Sequence, residues 1–264
     1  MAEVRPLMVR SLQRTGLNKL AHHLYYSYVH GFDTASPAVL PALEACFQES
    51  IDRGFAYEGG YFEFGVFKGY TFWYAQDLAR KHGLERMQFY GFDSFTGLPP
   101  VRGRDQTPHD EFYEGQYACS KEQVVANLNA KGVDWSRTHL VEGYFEHSLN
   151  DELKAQLRQR RIAVALIDCD LYESTAVVLH FIDDLIADGT ILLFDDWNCF
   201  NADDERGQRK AFAEFLERNR HLSAQAMFSY GPYGQVFTMR TNRSCQGAAA
   251  ASAETPPRAM SRMI

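Results

Sequence analysis

The sequence predicts an α/β fold, a mostly parallel sheet with helices on both faces. Three observations carry that expectation. Strand-like stretches alternate with stretches of helical periodicity from Gly60 onward. The runs IAVALI (162–167) and TILLF (190–194) are apolar at nearly every position, as strands buried on both faces are. Short motifs rich in glycine and acids follow the strands, and in such sheets ligands bind at the carboxyl ends.

The elements follow in chain order. Residues 6–29 read as a structural helix carrying Leu, Tyr and Val. SPAVLPALEACFQESIDRG (36–54) places Leu40, Leu43, Phe47 and Ile51 at helical spacing, with Gly54 as a stop. GYFEFGV (60–66) is the first strand, and a helix runs from Tyr70 to Lys81, ending near Gly83. MQFYGFD (87–93) is the second strand. The segment from Thr96 to Ser120, rich in Gly, Pro and charge, reads as a long loop, and loops of that length in compact domains are usually functional or disordered. Residues 121–130 are helical, THLVEG (138–143) is the third strand, and 147–160 is a charged helix. RIAVALID (161–168) is the fourth strand, STAVVLHFIDDLIAD (174–188) a helix, and TILLFDD (190–196) the fifth strand. A helix over 206–219 precedes two strands, 224–230 and 234–240, joined by a Gly-Pro turn. The expected organisation is an N-terminal helical segment (1–34), one α/β domain (35–243) and a disordered Ala-, Ser- and Pro-rich tail (244–264).

Composition narrows the function. The chain has 264 residues, a net charge of -7 and 45% hydrophobic content. An acidic surface argues against a nucleic-acid partner. The five cysteines contain no CxxC, which argues against a disulfide framework or a cysteine zinc site and for a reducing, cytoplasmic compartment. No stretch approaches the roughly 20 apolar residues of a membrane span. Tyr25, Tyr26, Tyr28 and Phe32 in close succession suggest a surface buried against something, with a partner subunit of a homo-oligomer as one reading.

Three groups of residues carry candidate chemistry. Glycines at Gly65 and Gly69 in EFGVFKG (63–69) let the backbone approach a ligand closely, although a bare strand-to-helix turn needs them too. Asp93 ends the second strand, where an acid can accept from ribose hydroxyls or simply cap a turn. Asp168, Asp170, Asp195 and Asp196 fall at two strand ends. Carboxylate oxygens suit a hard divalent cation such as magnesium, calcium or manganese, and helix capping accounts poorly for four such acids. Trp197 and Tyr172 stand beside them as pocket walls or as packing. Of the histidines, His109 and His147 are the two placed near the mouth. Lys68, Arg209 and Lys210 read as solvated charges.

YFEFGVFKGYT, YGFDSFTGLP, GYFEHSL, IDCDLYEST and FDDW, in this order, resemble the macrocin O-methyltransferase family of class I S-adenosylmethionine-dependent enzymes. The resemblance spans roughly residues 55–240. It implies a Rossmann-like, seven-stranded sheet with an antiparallel last strand. It implies S-adenosylmethionine at Glu63, Phe64, Gly65, Gly69 and Thr71, with Asp93 and Ser94 toward the ribose, Gly143, Tyr144 and Phe145 near the adenine, and Asp168 in contact. It further implies magnesium on Asp168, Asp195 and Asp196, Asp170 as general base, and a small-molecule hydroxyl, such as a sugar hydroxyl, as acceptor. The loop 101–119 and the N-terminal segment are where substrate differences are expected. Trp197 stands where the family is expected to carry tyrosine at least as often. A DxD-type glycosyltransferase and a non-catalytic cofactor-binding protein are the competing readings, with an aspartate phosphatase and a nicotinamide oxidoreductase further behind.

Overall fold

In β1 (Gly60–Phe64) every residue is buried, and the alternation of its side chains divides the molecule into two cores. The computed structural model describes residues 36–106 and 112–242. The expected N-terminal helix, the expected tail and His109 lie outside the described residues. Six further strands flank β1: β2 (Phe89–Asp93), β3 (Thr138–Glu142), β4 (Ile162–Ile167), β5 (Ile191–Phe194), β6 (Leu222–Tyr230) and β7 (Gly234–Thr241). Their order is β3-β2-β1-β4-β5-β7-β6. β7 is antiparallel to both neighbours, and the β1 to β5 pairings are all parallel.

The helices are α1 (Val39–Asp52), α2 (Tyr70–Lys81), α3 (Lys121–Ala130), α4 (Phe145–Ser148), α5 (Asp151–Leu157), α6 (Tyr172–Ile182) and α7 (Gly207–Arg218). Leu43 and Phe47 of α1, Phe72 and Leu78 of α2, and Val124 and Leu128 of α3 pack with Tyr61, Phe89, Val164 and Leu193 on one face of the sheet. On the other face Val178 and Ile182 of α6 and Phe212 of α7 pack with Phe62, Phe92, Ala165 and Phe194. Neighbouring strand residues thus serve opposite cores, and no charge interrupts β4 or β5 because both of their faces are covered.

The largest departures from the sequence expectation are in two helices. The helix expected over 147–160 is broken into α4 and α5. Asn150 has extended backbone (φ -100, ψ 172) and its side chain accepts from the Leu153 N–H at 3.0 Å, starting a new helix. The helix expected over 174–188 starts earlier, at Tyr172, and closes at Ile182. Its first N–H is taken by Asp105 at 2.5 Å, a partner far away in sequence.

Register positions the site. Phe64 pairs with Ile167, and Ile167 with Phe194, so the next residues of the three strands share one rim: Gly65, Asp168 and Asp195. The chain runs outward from β1 through β2 to β3, then returns to place β4 on the other side of β1. That reversal opens a crevice at the carboxyl ends of β1 and β4.

Candidate active site

A cavity of about 690 Å³ occupies this crevice. Its floor is the turn from β1 into α2. Gly65 has φ +95, and a Cβ there would lie 1.8 Å from the Asp168 carbonyl oxygen, so only glycine fits. Asp93 holds the turn in place. Its Oδ2 accepts from the Val66 N–H (2.6 Å) and the Phe67 N–H (2.9 Å), and its Oδ1 from the Phe95 N–H (2.7 Å). Burial raises the Asp93 pKa, and these backbone bonds pull it back. Asp93 therefore organises the cradle and still faces the cavity.

Of the residues expected around a cofactor, Gly65, Thr71, Asp93, Ser94, Gly143, Tyr144, Phe145 and Asp168 line the cavity. Glu63, Phe64 and Gly69 stand behind its wall. Glu63 is 0% exposed, accepting from the Thr71 hydroxyl at 2.6 Å and the Tyr61 hydroxyl at 2.5 Å. Burial lifts its pKa to about 8. Phe64 stacks on Phe92 with ring centroids 4.7 Å apart. Gly69 starts α2 with φ +86, close to Leu128 and Val124. On the opposite wall the Gly143 N–H donates to the Asp93 carbonyl (2.9 Å), and the Thr96 hydroxyl meets the Tyr144 hydroxyl (3.2 Å).

The acids converge as expected. Asp168, Asp195 and Asp196 each offer a carboxylate oxygen within 4.8 Å of the others. Among the described residues neutral donors reach two of them: Ser36 Oγ on Asp195 (3.2 Å), and the Asp170 N–H (3.0 Å), Gln208 Nε2 (3.4 Å) and Cys199 Sγ (3.8 Å) on Asp196. Burial, followed by mutual repulsion, pushes Asp168 and Asp196 well above the usual carboxylate range. Asp170 rises to about 7, by burial and then by Asp195 and Asp93. Asp170 also sits at φ +59, a costly left-handed conformation for a residue with a side chain, which the Asp196 bond helps to hold. A set of crowded oxygen donors with raised pKa values fits a divalent cation, which would relieve the repulsion.

Other expectations resolve into packing. Trp197, half-buried, packs against Phe194, Phe212 and Phe237 at the edge of the core. Tyr172 donates to Glu214 (2.8 Å). The His147 ring is well exposed, next to Glu146. Lys68 does line the cavity, whereas Arg209 pairs with Asp204 and Lys210 with Glu205. Sequence reasoning missed Gln208, which is 1% exposed. Its Oε1 accepts from the Asp196 N–H (3.0 Å) and its Nε2 donates to the Ile167 carbonyl (2.9 Å). It also missed Asp105. Tyr117, at φ +61, lies within the expected acceptor loop, lines the cavity and meets Phe67 edge-on. Among the described residues no helix is long and apolar enough to cross a membrane.

The chain is 27% identical over 164 residues to 8-demethyl-8-(2,3-dimethoxy-alpha-L-rhamnosyl)-tetracenomycin-C 4'-O-methyltransferase of Streptomyces olivaceus, covering 60% of this chain and 59% of the relative. The chain thus spans about three-fifths of the length of the curated relative it matches. The O-methyltransferase NovP superposes with a TM-score of 0.62 at 22% identity, over 76% of this chain and 79% of its own. A TDP-rhamnose 3'-O-methyltransferase of calicheamicin biosynthesis gives 0.54 at 25% identity, over 75% and 78%. The fold is that of the class I methyltransferases, a seven-stranded sheet in which the last strand alone is reversed. Residues 37–225 match the profile of the Macrocin-O-methyltransferase family. With that match over most of its length, the chain belongs to the macrocin O-methyltransferase family.

Proposed function

We propose that the protein transfers a methyl group from S-adenosylmethionine to a hydroxyl of a small molecule, a sugar hydroxyl in the first instance, with a divalent cation such as magnesium at the acids. One observation carries this reading. The Asp168, Asp195 and Asp196 cluster and the Gly65–Asp93 cradle open into the same cavity. Two of the relatives named above, the tetracenomycin and the calicheamicin enzymes, act by their names on rhamnose-bearing compounds, which supports a sugar acceptor.

The residues have distinct tasks. The Gly65 turn admits a ligand to the backbone, and Asp93 fixes the N–H groups of Val66 and Phe67. Tyr144 and Phe145 supply the aromatic surface for an adenine on the opposite wall. The bound cofactor supplies an electrophilic methyl group. Asp168, Asp195 and Asp196 would hold the cation, which when bound lowers the pKa of a coordinated hydroxyl. Asp170, at the rim of the same cavity beside the cation set, accepts the hydroxyl proton on a carboxylate oxygen. Walls that hold acceptor and cofactor together convert an encounter into a directed displacement. Asp170 lies outside the triad whose oxygens gather, which supports assigning the three to the cation and Asp170 to the proton.

The test is turnover with S-adenosylmethionine, magnesium and a panel of rhamnosides and nucleotide-linked rhamnose, read by mass spectrometry. The expected result is S-adenosylhomocysteine with a product one CH2 heavier, lost on chelation and in Asp170→Asn. Binding of a nucleotide sugar without binding of S-adenosylmethionine would overturn the reading.

A further inference from the structure

Asp105 is 4% exposed although it belongs to the long, polar loop between β2 and α3. Its two carboxylate oxygens reach two different helices. Oδ2 accepts from the Tyr172 N–H at 2.5 Å, and Oδ1 accepts from the Gly207 N–H at 3.1 Å. Those are the first residues of α6 and α7. Helix N-termini leave backbone donors unsatisfied and carry the positive end of the helix dipole, so one buried anion satisfies both. The bonds span 67 and 102 residues of sequence.

What each helix start carries gives the contact its meaning. Tyr172 is two residues after Asp170. Gly207 precedes Gln208, whose side chain holds the Asp196 N–H and the Ile167 carbonyl. Asp105 is thus tied on one side to the loop bearing the base and on the other to the helix that orients a cation-binding acid. The loop reinforces the grip at its surface. Arg206 Nη1 donates to the Gln106 carbonyl (3.1 Å), and the Arg104 guanidinium lies 5.5 Å from the centre of the Tyr172 ring. The start of α7 has little freedom to compensate. Gly207 is at φ +50, and a Cβ there would meet the Phe200 ring at 2.9 Å.

We propose that Asp105 is a positioning residue. It clamps the acceptor-side loop across the N-termini of α6 and α7 and so fixes the placement of Asp170 relative to Asp196. The proposal rests on the function above only where cation affinity is read. Amide exchange reads the clamp itself.

The experiment compares wild-type protein with Asp105→Asn, which keeps the shape and removes the charge. Amide exchange by mass spectrometry follows peptides covering 100–106, 171–174 and 206–209, and calorimetry measures manganese and S-adenosylmethionine binding. The expected result for Asp105→Asn is exchange faster by about 10-fold or more in those three peptides alone. Manganese affinity should fall by roughly 10-fold, the scale of one charged hydrogen bond, while the cofactor dissociation constant stays within about 2-fold. In wild-type protein, saturating manganese should slow exchange in the same peptides, because coupling is reciprocal. That arm needs no variant and reads the clamp in peptide 100–106, which holds none of the cation acids: unchanged exchange there at saturating manganese would overturn the proposal even if Asp105→Asn fails to fold. Unchanged exchange in the variant, faster exchange spread evenly over the chain, or equal losses of cation and cofactor affinity would each overturn the proposal. A wild-type protein that binds no manganese would sink the cation reading, and the exchange pattern of the variant would still decide on Asp105.

Discussion

Replacing Glu63 with glutamine should flatten the pH dependence of stability. Glu63 is wholly buried, with its oxygens on the hydroxyls of Thr71 and Tyr61, and its pKa stands at about 8 against an ordinary 4.5. Because the folded-state value is raised, the folded protein binds the proton more tightly than the unfolded chain does between those limits. Stability contributed by Glu63 is therefore full below about pH 4.5 and falls as the pH rises toward 8. At about 1.4 kcal/mol per pH unit the loss has a ceiling of ~5 kcal/mol, and structural relaxation will reduce it to roughly 2–4 kcal/mol. Glutamine reproduces the neutral acid, since each hydroxyl can either donate to it or accept from it. The assay is calorimetric or urea unfolding of both proteins, free of metal, from pH 5 to pH 8.5. The two should match near pH 5, with Glu63→Gln the more stable by ~2–4 kcal/mol at pH 8.5, a gap of roughly 5–15 °C in Tm for a domain of this size. Parallel curves across the range would refute the reasoning.

Gly65→Ala should unfold at a lower temperature by roughly 5–15 °C and lose S-adenosylmethionine binding. It combines a left-handed backbone with a Cβ placed 1.8 Å from the Asp168 carbonyl, and thermal unfolding with calorimetry checks both effects. Asp195→Asn should stabilise the metal-free protein by about 1–3 kcal/mol, since it removes one of several crowded carboxylates, while losing the stabilisation that magnesium gives the wild type. Urea unfolding with and without magnesium reads the inversion. Phe212→Ala should cost about 3–5 kcal/mol, because its ring, 2% exposed, packs within 4.9 Å of Phe194 and 5.0 Å of Phe237, centroid to centroid. The same unfolding assay measures it.

The strands were the most legible part of the fold, for a physical reason. IAVALI and ILLF are apolar throughout because helices cover both faces, and no amphipathic helix reads that way. Once the strands are placed, parallel register carries Gly65, Asp168 and Asp195 to one rim, so the acids could be found without any contact information. The helix boundaries that were missed are set by side chains rather than by periodicity. Asn150 restarts α5 locally, and Asp105 starts α6 from a distant loop.

The same limit applies to the site. EFGVFKG marks the cradle, but strand alternation sends Glu63 beneath α2 and Phe64 into the opposite core, so adjacency in the motif did not mean access to the cavity. Gln208 and Asp105 are invisible to motif reading because each acts through backbone groups of another segment. Trp197, adjacent to two cavity acids, turns away because the strand end places it over Phe212 and Phe237.

The Gly65–Asp93 cradle and the acid cluster share one cavity. Calorimetric titration of S-adenosylmethionine and then magnesium into wild-type protein and into Asp168→Ala tests it. Both proteins should bind the cofactor, and only the wild type should bind the metal. A wild-type protein that takes up the cofactor but neither magnesium nor manganese, or an Asp168→Ala protein that binds the metal equally well, would contradict it.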